Sequence, residues 1–589
     1  MMEPDGRAGT ERFPWLWQVL GLLALAGWLA MVHLAGASLI EPDEPRTALV
    51  SRLMVERGDW LAPHLPAVFH HDYLHDPVEG DLVAYWDKPP LYFWLAAAAM
   101  KVLGPTALAA RLPAALAFVA TILLVYAAGR SLGGARAGLW AGLVMATSPL
   151  AFAMAHVARM DSLLVALMAA MLVAVLRLMD GTARPWAWTV VLYVAAGLGL
   201  LAKGPEAVAL PVVAVVVTAA VTGRWRDLAR LRPLAGAAIG LAVAAPWYIY
   251  MHMRYPASAD GSSAGFLYEF LVRQHFGRAG GEFGHTLPPG TLVGILAAGF
   301  LPWTIFLPGV CARVARGGWR EFRASPAVLL LAWPVVVLAT FSLTKTQLPH
   351  YIAPAFPPLA ILTGLYLDDR LRIAASDLKD GRWFRLGLVI TTGLGVLFVV
   401  GAVIALPRLG LWQAGHAWWV AGIAVLMVAG AAAVWRRRHA AALGLVVAGM
   451  AAIATFAFAA DPFGIYWALS PRDPIRAMQK QMRPGDAVIS YPHQAYGFAW
   501  YLWGEPVIYP TTDGLPSGEY DLDCLVAELN RPRRTFCMIQ RRAMIDSFRP
   551  RVRWPIRLVS DAKSRYTLIV TEPGADDSPP PKEEPGRER

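Results

Sequence analysis

The stretch Pro89-Pro-Leu-Tyr-Phe-Trp-Leu-Ala-Ala-Ala-Ala-Met-Lys-Val-Leu103 is apolar but short. A membrane-crossing helix needs about 20 apolar residues, so this run reads as an interfacial or re-entrant helix. Whether it crosses decides the side on which every later loop lies. Longer apolar runs occupy 15–37, 107–128, 137–155, 161–179, 187–202, 205–222, 233–252, 289–310, 326–343, 352–368, 384–406, 417–435 and 441–460. Take the N-terminus as cytoplasmic and 89–103 as not crossing. Then Arg130 and Arg136, Arg184, Arg224 to Arg232, Arg313 to Arg323, Arg370 to Arg382 and Arg436 to Arg438 all fall in cytoplasmic loops. That is what the positive-inside rule asks. If 89–103 crossed, all of them would fall outside. The chain therefore reads as a polytopic α-helical membrane protein with about 13 transmembrane helices and an exterior C-terminal domain.

Composition agrees. The 589 residues are 57% hydrophobic and include 23 tryptophans, as in a membrane protein rather than a soluble enzyme. The net charge of +11 does not indicate nucleic acid, because the arginines sit in short loops between apolar runs and no recognition module appears. Arg7 and Arg12 precede the first run, which lacks a clean small-x-small cleavage site and reads as a retained signal anchor. Three cysteines are present, and for Cys524 and Cys537 both a disulfide and two free thiols stay open.

The same topology turns loops 38–106, 156–161, 203–204, 253–288, 344–351 and 407–416 outward, with the C-terminal region. They hold or border Asp43, Glu44, Arg46, Asp87, Lys88, Arg159, Asp161, Lys203, Glu206, His275, Lys345, His350 and Tyr351. One such charge merely marks a helix end; several on one side point to chemistry. The cluster Glu41-Pro-Asp-Glu-Pro-Arg46 follows the first span directly. Residues 44–58 have apolar positions at helical spacing and read as an amphipathic helix at the outer boundary. His64, His70, His71 and His75 read as a solvated loop, since no pair has firm ligand spacing. Asp87 and Lys88 precede Pro89-Pro90, a first-turn signal that places them at a helix N-terminus. Loop 253–288 carries a short helix with Glu269, Gln274 and His275, followed by a glycine-rich mobile segment. Residues 1–460 thus form the membrane domain. Residues 461–571 form a small α/β domain, with strands at 486–490, 506–509, 535–539 and 565–570 and helices near 494–503 and 520–530. The tail 572–589 is charged, Pro-rich and expected to be disordered.

Asp43-Glu44-x-Arg46, Asp87-Lys88-Pro89, Arg159-x-Asp161, Lys203-Gly204 and Lys345-x-x-Leu-Pro-x-Tyr351 occur in an order that resembles GT-C glycosyltransferases using polyprenyl-phosphate sugars. The nearest resemblance is to the lipid A aminoarabinose transferases, relatives of the protein O-mannosyltransferases. It implies a catalytic carboxylate at Asp43. It implies donor-phosphate contacts at Arg46, Lys88, Tyr85, Lys203, Tyr351 and Lys345, and further cavity positions at Glu44 and Arg159. It associates Asp87, Asp161 and His275 with a divalent metal, Zn or Mg/Mn. The implied partners are a polyprenyl-phosphate-linked sugar, a lipid or protein acceptor with lipid A first, and the bilayer of the cell inner membrane; nucleic acid is not among them. The implied chemistry suits these residue types, because a departing phosphate needs cations and an acceptor hydroxyl needs a base. A lipid-linked sugar transporter or flippase is the rival class, but transporters show related halves and none is visible here. Pro45 and Thr47 stand where Thr and Tyr are usual, Asp87 replaces a Glu, Gln347 replaces a second Lys, and 70–84 reads as an insertion.

Overall fold

The computed structural model describes residues 14–66, 78–79, 81–258, 264–277, 280, 287–372, 382–408, 412–461, 469–491, 496–503, 507–508, 521–539, 544–560 and 566–573. The readings of Arg7, Arg12, His70, His71, His75, the glycine-rich 281–284 and the tail beyond 573 lie outside these residues. The chain divides into two compact units.

The first unit comprises Met1–Ala35, Trp86–Ala99 and Arg111–Phe463. It is helical. Among the described residues, seven helices are long and apolar enough to cross a membrane, and three bent pairs raise the number to as many as ten. Two of the bends have a common local cause. Ser148 precedes Pro149 and is extended at ψ 120°, and Ser325 precedes Pro326 at ψ 154°. A residue before proline is excluded from the helical region, so the chain must turn there. The resulting bends are 65° and 83°. Helix Phe356–Arg372 packs on Ala135–Ala146 so closely that a Cβ on Gly364 would lie 2.6 Å from Ala141 Cα. Small residues permit this backbone approach where no hydrophobic drive separates helix from lipid. Arg111 is fully buried and donates to the Leu34 carbonyl at 3.1 Å. The apolar stretch that decides the topology forms helix Leu91–Leu103, 13 residues long.

The second unit comprises Gly36–Tyr85, Met100–Ala110 and Gly464–Arg589. Helix Asp43–Arg57 ends at Gly58, whose φ of 73° favours a residue without a Cβ. Its burial is wider than one amphipathic stripe, for Glu44, Thr47 and Ser51 are buried along with Leu49 and Leu53. The reason is packing against strand β1 (His64–Pro66) and the short helix Tyr496–Tyr501 of the same unit. Strands β1, β2 (Val78–Glu79) and β3 (Leu82–Ala84) form an antiparallel sheet in the order β1-β3-β2. A second sheet has the order β5-β4-β6-β8-β7, built from β4 (Ala487–Tyr491), β5 (Val507–Ile508), β6 (Thr535–Ile539), β7 (Ile556–Leu558) and β8 (Thr567–Thr571). β5, β4 and β6 run parallel, and β8 closes antiparallel on β6. Alternation supplies both faces: Val488, Phe536, Met538 and Leu568 bury on one, Ile489, Cys537, Ile539 and Ile569 on the other. Strand β7 is too short and polar, Ile-Arg-Leu, to announce itself in the sequence.

Cys524 and Cys537 are free thiols. Cys537 faces the sheet core at 0% exposure, and burial pushes its thiol above the ordinary range. A thiolate is the reactive form. A maleimide should therefore label exposed Cys311 first in native detergent-solubilised protein, and Cys537 only after denaturation. Rapid native labelling of Cys537, read by peptide mass spectrometry, would contradict its placement.

Candidate functional site

In the first unit a polar cluster forms where three helical breaks meet. Helix Asp161–Met179 begins on its own candidate carboxylate. Lys203 ends helix Pro185–Ala202, and the next helix begins at Glu206. Tyr351 lies in the turn Pro349–Ala355. Lys203 Nζ donates to Asp161 Oδ1 at 2.7 Å, and the two are only 8% and 4% exposed. Arg159 Nε lies 3.3 Å from the other carboxylate oxygen. Arg159 also donates to His350 Nε2 at 2.8 Å. The same His350 nitrogen lies 3.7 Å from Asp161 Oδ1. The Lys203 ammonium sits 4.8 Å from the Tyr351 ring centroid, within cation–π range.

One residue further, Gly204 adopts φ 110°, and a Cβ there would meet His275 Nε2 at 2.8 Å. Glycine is required on both counts. His275 Nε2 lies 3.2 Å from Glu206, while its Nδ1 lies 2.7 Å from the Phe270 carbonyl. The ring is thus held between the Glu206 carboxylate and a backbone carbonyl. His275 comes from the π-helical turn Tyr268–Gly277, as does Gln274, which donates to Asp87 Oδ1 at 2.5 Å. Trp86 fixes the neighbouring backbone by packing on Tyr255 and Phe266, with centroids 5.4 and 6.1 Å away. Lys88 is half-buried and Lys345 exposed.

In the second unit Asp43 opens its helix, and Arg46 one turn later donates to its Oδ1 at 2.5 Å. The Arg46 guanidinium lies 6.0 Å from the Tyr85 ring and 5.5 Å from the Tyr496 ring. Glu44 is fully buried and accepts the Ile40 N–H at 2.9 Å, which ties down the turn ahead of Asp43.

The metal association of Asp87, Asp161 and His275 is not supported. Among the described residues no group of three His, Cys, Asp or Glu side chains is placed to hold a metal ion. The physical reason is visible in each partner: Asp161 is engaged by Lys203 and Arg159, Asp87 by Gln274, and His275 by Glu206.

Sequence reasoning grouped Arg159, Asp161, Lys203 and Tyr351, and these do meet. It counted Glu206 and His350 among the outward polar residues without giving either a role, and both join this cluster. It did not single out Tyr496, which no spacing rule connects to Arg46, 450 positions earlier.

Residues 87–250 match the family described as dolichyl-phosphate-mannose-protein mannosyltransferase. An undecaprenyl phosphate-alpha-4-amino-4-deoxy-L-arabinose arabinosyl transferase of Pectobacterium carotovorum is 29% identical over 492 residues, 82% of this chain and 83% of that protein. The protein of the same description from Serratia proteamaculans is 30% identical over 410 residues, 68% of this chain and 67% of its own length. The crystal structure of ArnT from Cupriavidus metallidurans bound to undecaprenyl phosphate superposes with a TM-score of 0.74 at 22% identity, covering 96% of this chain and 100% of that one. The fold is that of a GT-C membrane glycosyltransferase. Within that class, the chain belongs to the undecaprenyl phosphate-aminoarabinose arabinosyl transferase family.

Proposed function

We propose that this protein transfers 4-amino-4-deoxy-L-arabinose from undecaprenyl phosphate to lipid A on the periplasmic face of the inner membrane. The observation that carries this reading is the match to an arabinosyl transferase along 82% of the chain, together with the Asp43–Arg46 pair that a phosphate-sugar donor would need. In the reaction an acceptor oxygen attacks the anomeric carbon, the bond from that carbon to the donor phosphate breaks, and the phosphate leaves with its polyprenyl chain. Arg46, Lys88, Lys203 and Lys345 are assigned to the charge developing on that phosphate, with Tyr85 and Tyr351 shaping its surroundings. Asp43 takes the proton of a hydroxyl acceptor, or orients an acceptor that is already an anion.

The finer topology belongs to the same reading. Adding helices Pro14–Met31, Glu206–Thr222 and Phe356–Arg372 to the ten gives thirteen spans, a cytoplasmic N-terminus and a periplasmic C-terminal domain from residue 461. The membrane domain is then 1–460.

Purified protein in lipid nanodiscs, given undecaprenyl-phosphate aminoarabinose and lipid A, should yield lipid A heavier by one aminopentose in the mass spectrum. No gain with active donor would refute the reading. The match of 87–250 to protein mannosyltransferases favours one competitor, transfer to a polypeptide, so an envelope protein extract serves as the second acceptor arm.

A further inference from the structure

Glu41 and Gly497 are joined across 456 positions of the second unit. The Glu41 carboxylate accepts the Gly497 N–H, and the Glu41 N–H donates to the Leu469 carbonyl at 3.2 Å. The joint is tight: a Cβ on Gly497 would lie 2.7 Å from the Pro471 ring and would also run into the Glu41 carboxylate. Two residues before Glu41, the Leu39 N–H donates to the Tyr501 hydroxyl at 2.9 Å. Two residues after it stands Asp43, and the residue beside Gly497 is Tyr496, whose ring lies against Arg46.

We infer that Glu41 is a positioning residue for transfer, a latch by which the C-terminal segment of the unit sets Asp43 and Arg46. Pro42 and Pro45 restrict the backbone on either side of Asp43, so few torsions separate the latch from the reacting carboxylate. Fixing Gly497 also fixes Tyr496, and with it one of the groups that confine the Arg46 guanidinium. Without the carboxylate the Gly497 N–H loses its acceptor and the segment gains slack at both ends. A misplacement of about 1 Å costs on the order of a hundredfold in rate. The inference rests on the assignment of Asp43 and Arg46 made under the proposed function.

The test compares Glu41→Ala, Glu41→Gln and Gly497→Ala in the full-length protein in nanodiscs. Glu41→Ala and Gly497→Ala should lower kcat roughly 10- to 100-fold while donor KM changes less than about threefold. Glu41→Gln keeps an acceptor oxygen and should restore kcat to within about threefold of the native value. Two results overturn the latch: native kcat in Glu41→Ala, or equal loss in the Ala and Gln variants accompanied by equal loss of thermal stability. Asp43→Asn is assayed alongside. If it is impaired while Glu41→Ala is native, the latch alone fails; if it keeps native turnover, the Asp43 assignment fails and takes the latch with it.

Discussion

Asp43→Asn should lower kcat by about 10²- to 10⁴-fold, the range that a positioned acid–base group contributes, with donor affinity changed by no more than about threefold. The substitution is nearly isosteric. The amide oxygen can still accept from Arg46, now 2.5 Å from Asp43 Oδ1, so the helix start and the guanidinium keep their places. What disappears is the negative charge and the ability to take a proton. A carboxylate that serves only to hold Arg46 predicts the opposite division, with donor KM rising and kcat nearly unchanged. Single-turnover kinetics separate the chemical step from donor loading. Near-normal turnover in the purified variant would remove Asp43 from the chemistry.

The helical membrane architecture was legible because lipid leaves the sequence little freedom: long apolar runs report spanning helices directly. The C-terminal strands were legible for the same kind of reason, since Thr535–Ile539 and Thr567–Thr571 are made of β-branched and apolar residues. Lys203, Asp161 and Tyr351 were legible as charges and rings at helix breaks. Their pairing was not, because a break shows where a polar residue can sit and not which other break it faces. The metal association found no support for the same reason: Asp87, Asp161 and His275 are engaged by Gln274, Lys203 and Glu206 and form no common group among the described residues. Glu41 was equally opaque. In the sequence it is one acid in a cluster of three, and its partner is the backbone N–H of a glycine, which no side-chain pattern records.

Lys203→Met should both destabilise the protein and abolish most transfer, and a second substitution should pull the two effects apart. Removing one member of a buried ion pair costs about 3–5 kcal/mol, because it strands the other charge. Here Arg159 remains 3.3 Å from Asp161 and partly compensates, so the lower end, about 3 kcal/mol, is expected. Replacing both partners, Lys203→Met with Asp161→Leu, removes the stranded carboxylate and should recover most of the stability. Transfer should not recover, since the ammonium assigned to the donor phosphate is still missing. Recovery of both would make the pair purely structural. The charge on Lys203 is secure at neutral pH. Burial works against the ammonium, but the carboxylates of Asp161 and Glu206 outweigh it and raise its pKa above the ordinary lysine value. A group whose pKa rises on folding contributes fully below its unfolded pKa, about 10.4, and loses that contribution only as pH climbs through the folded value. A neutral-range limb in the pH–rate profile must therefore come from another group, and it should persist unchanged in the residual activity of Lys203→Met. Loss of that limb in the variant would show that Lys203 itself titrates during turnover.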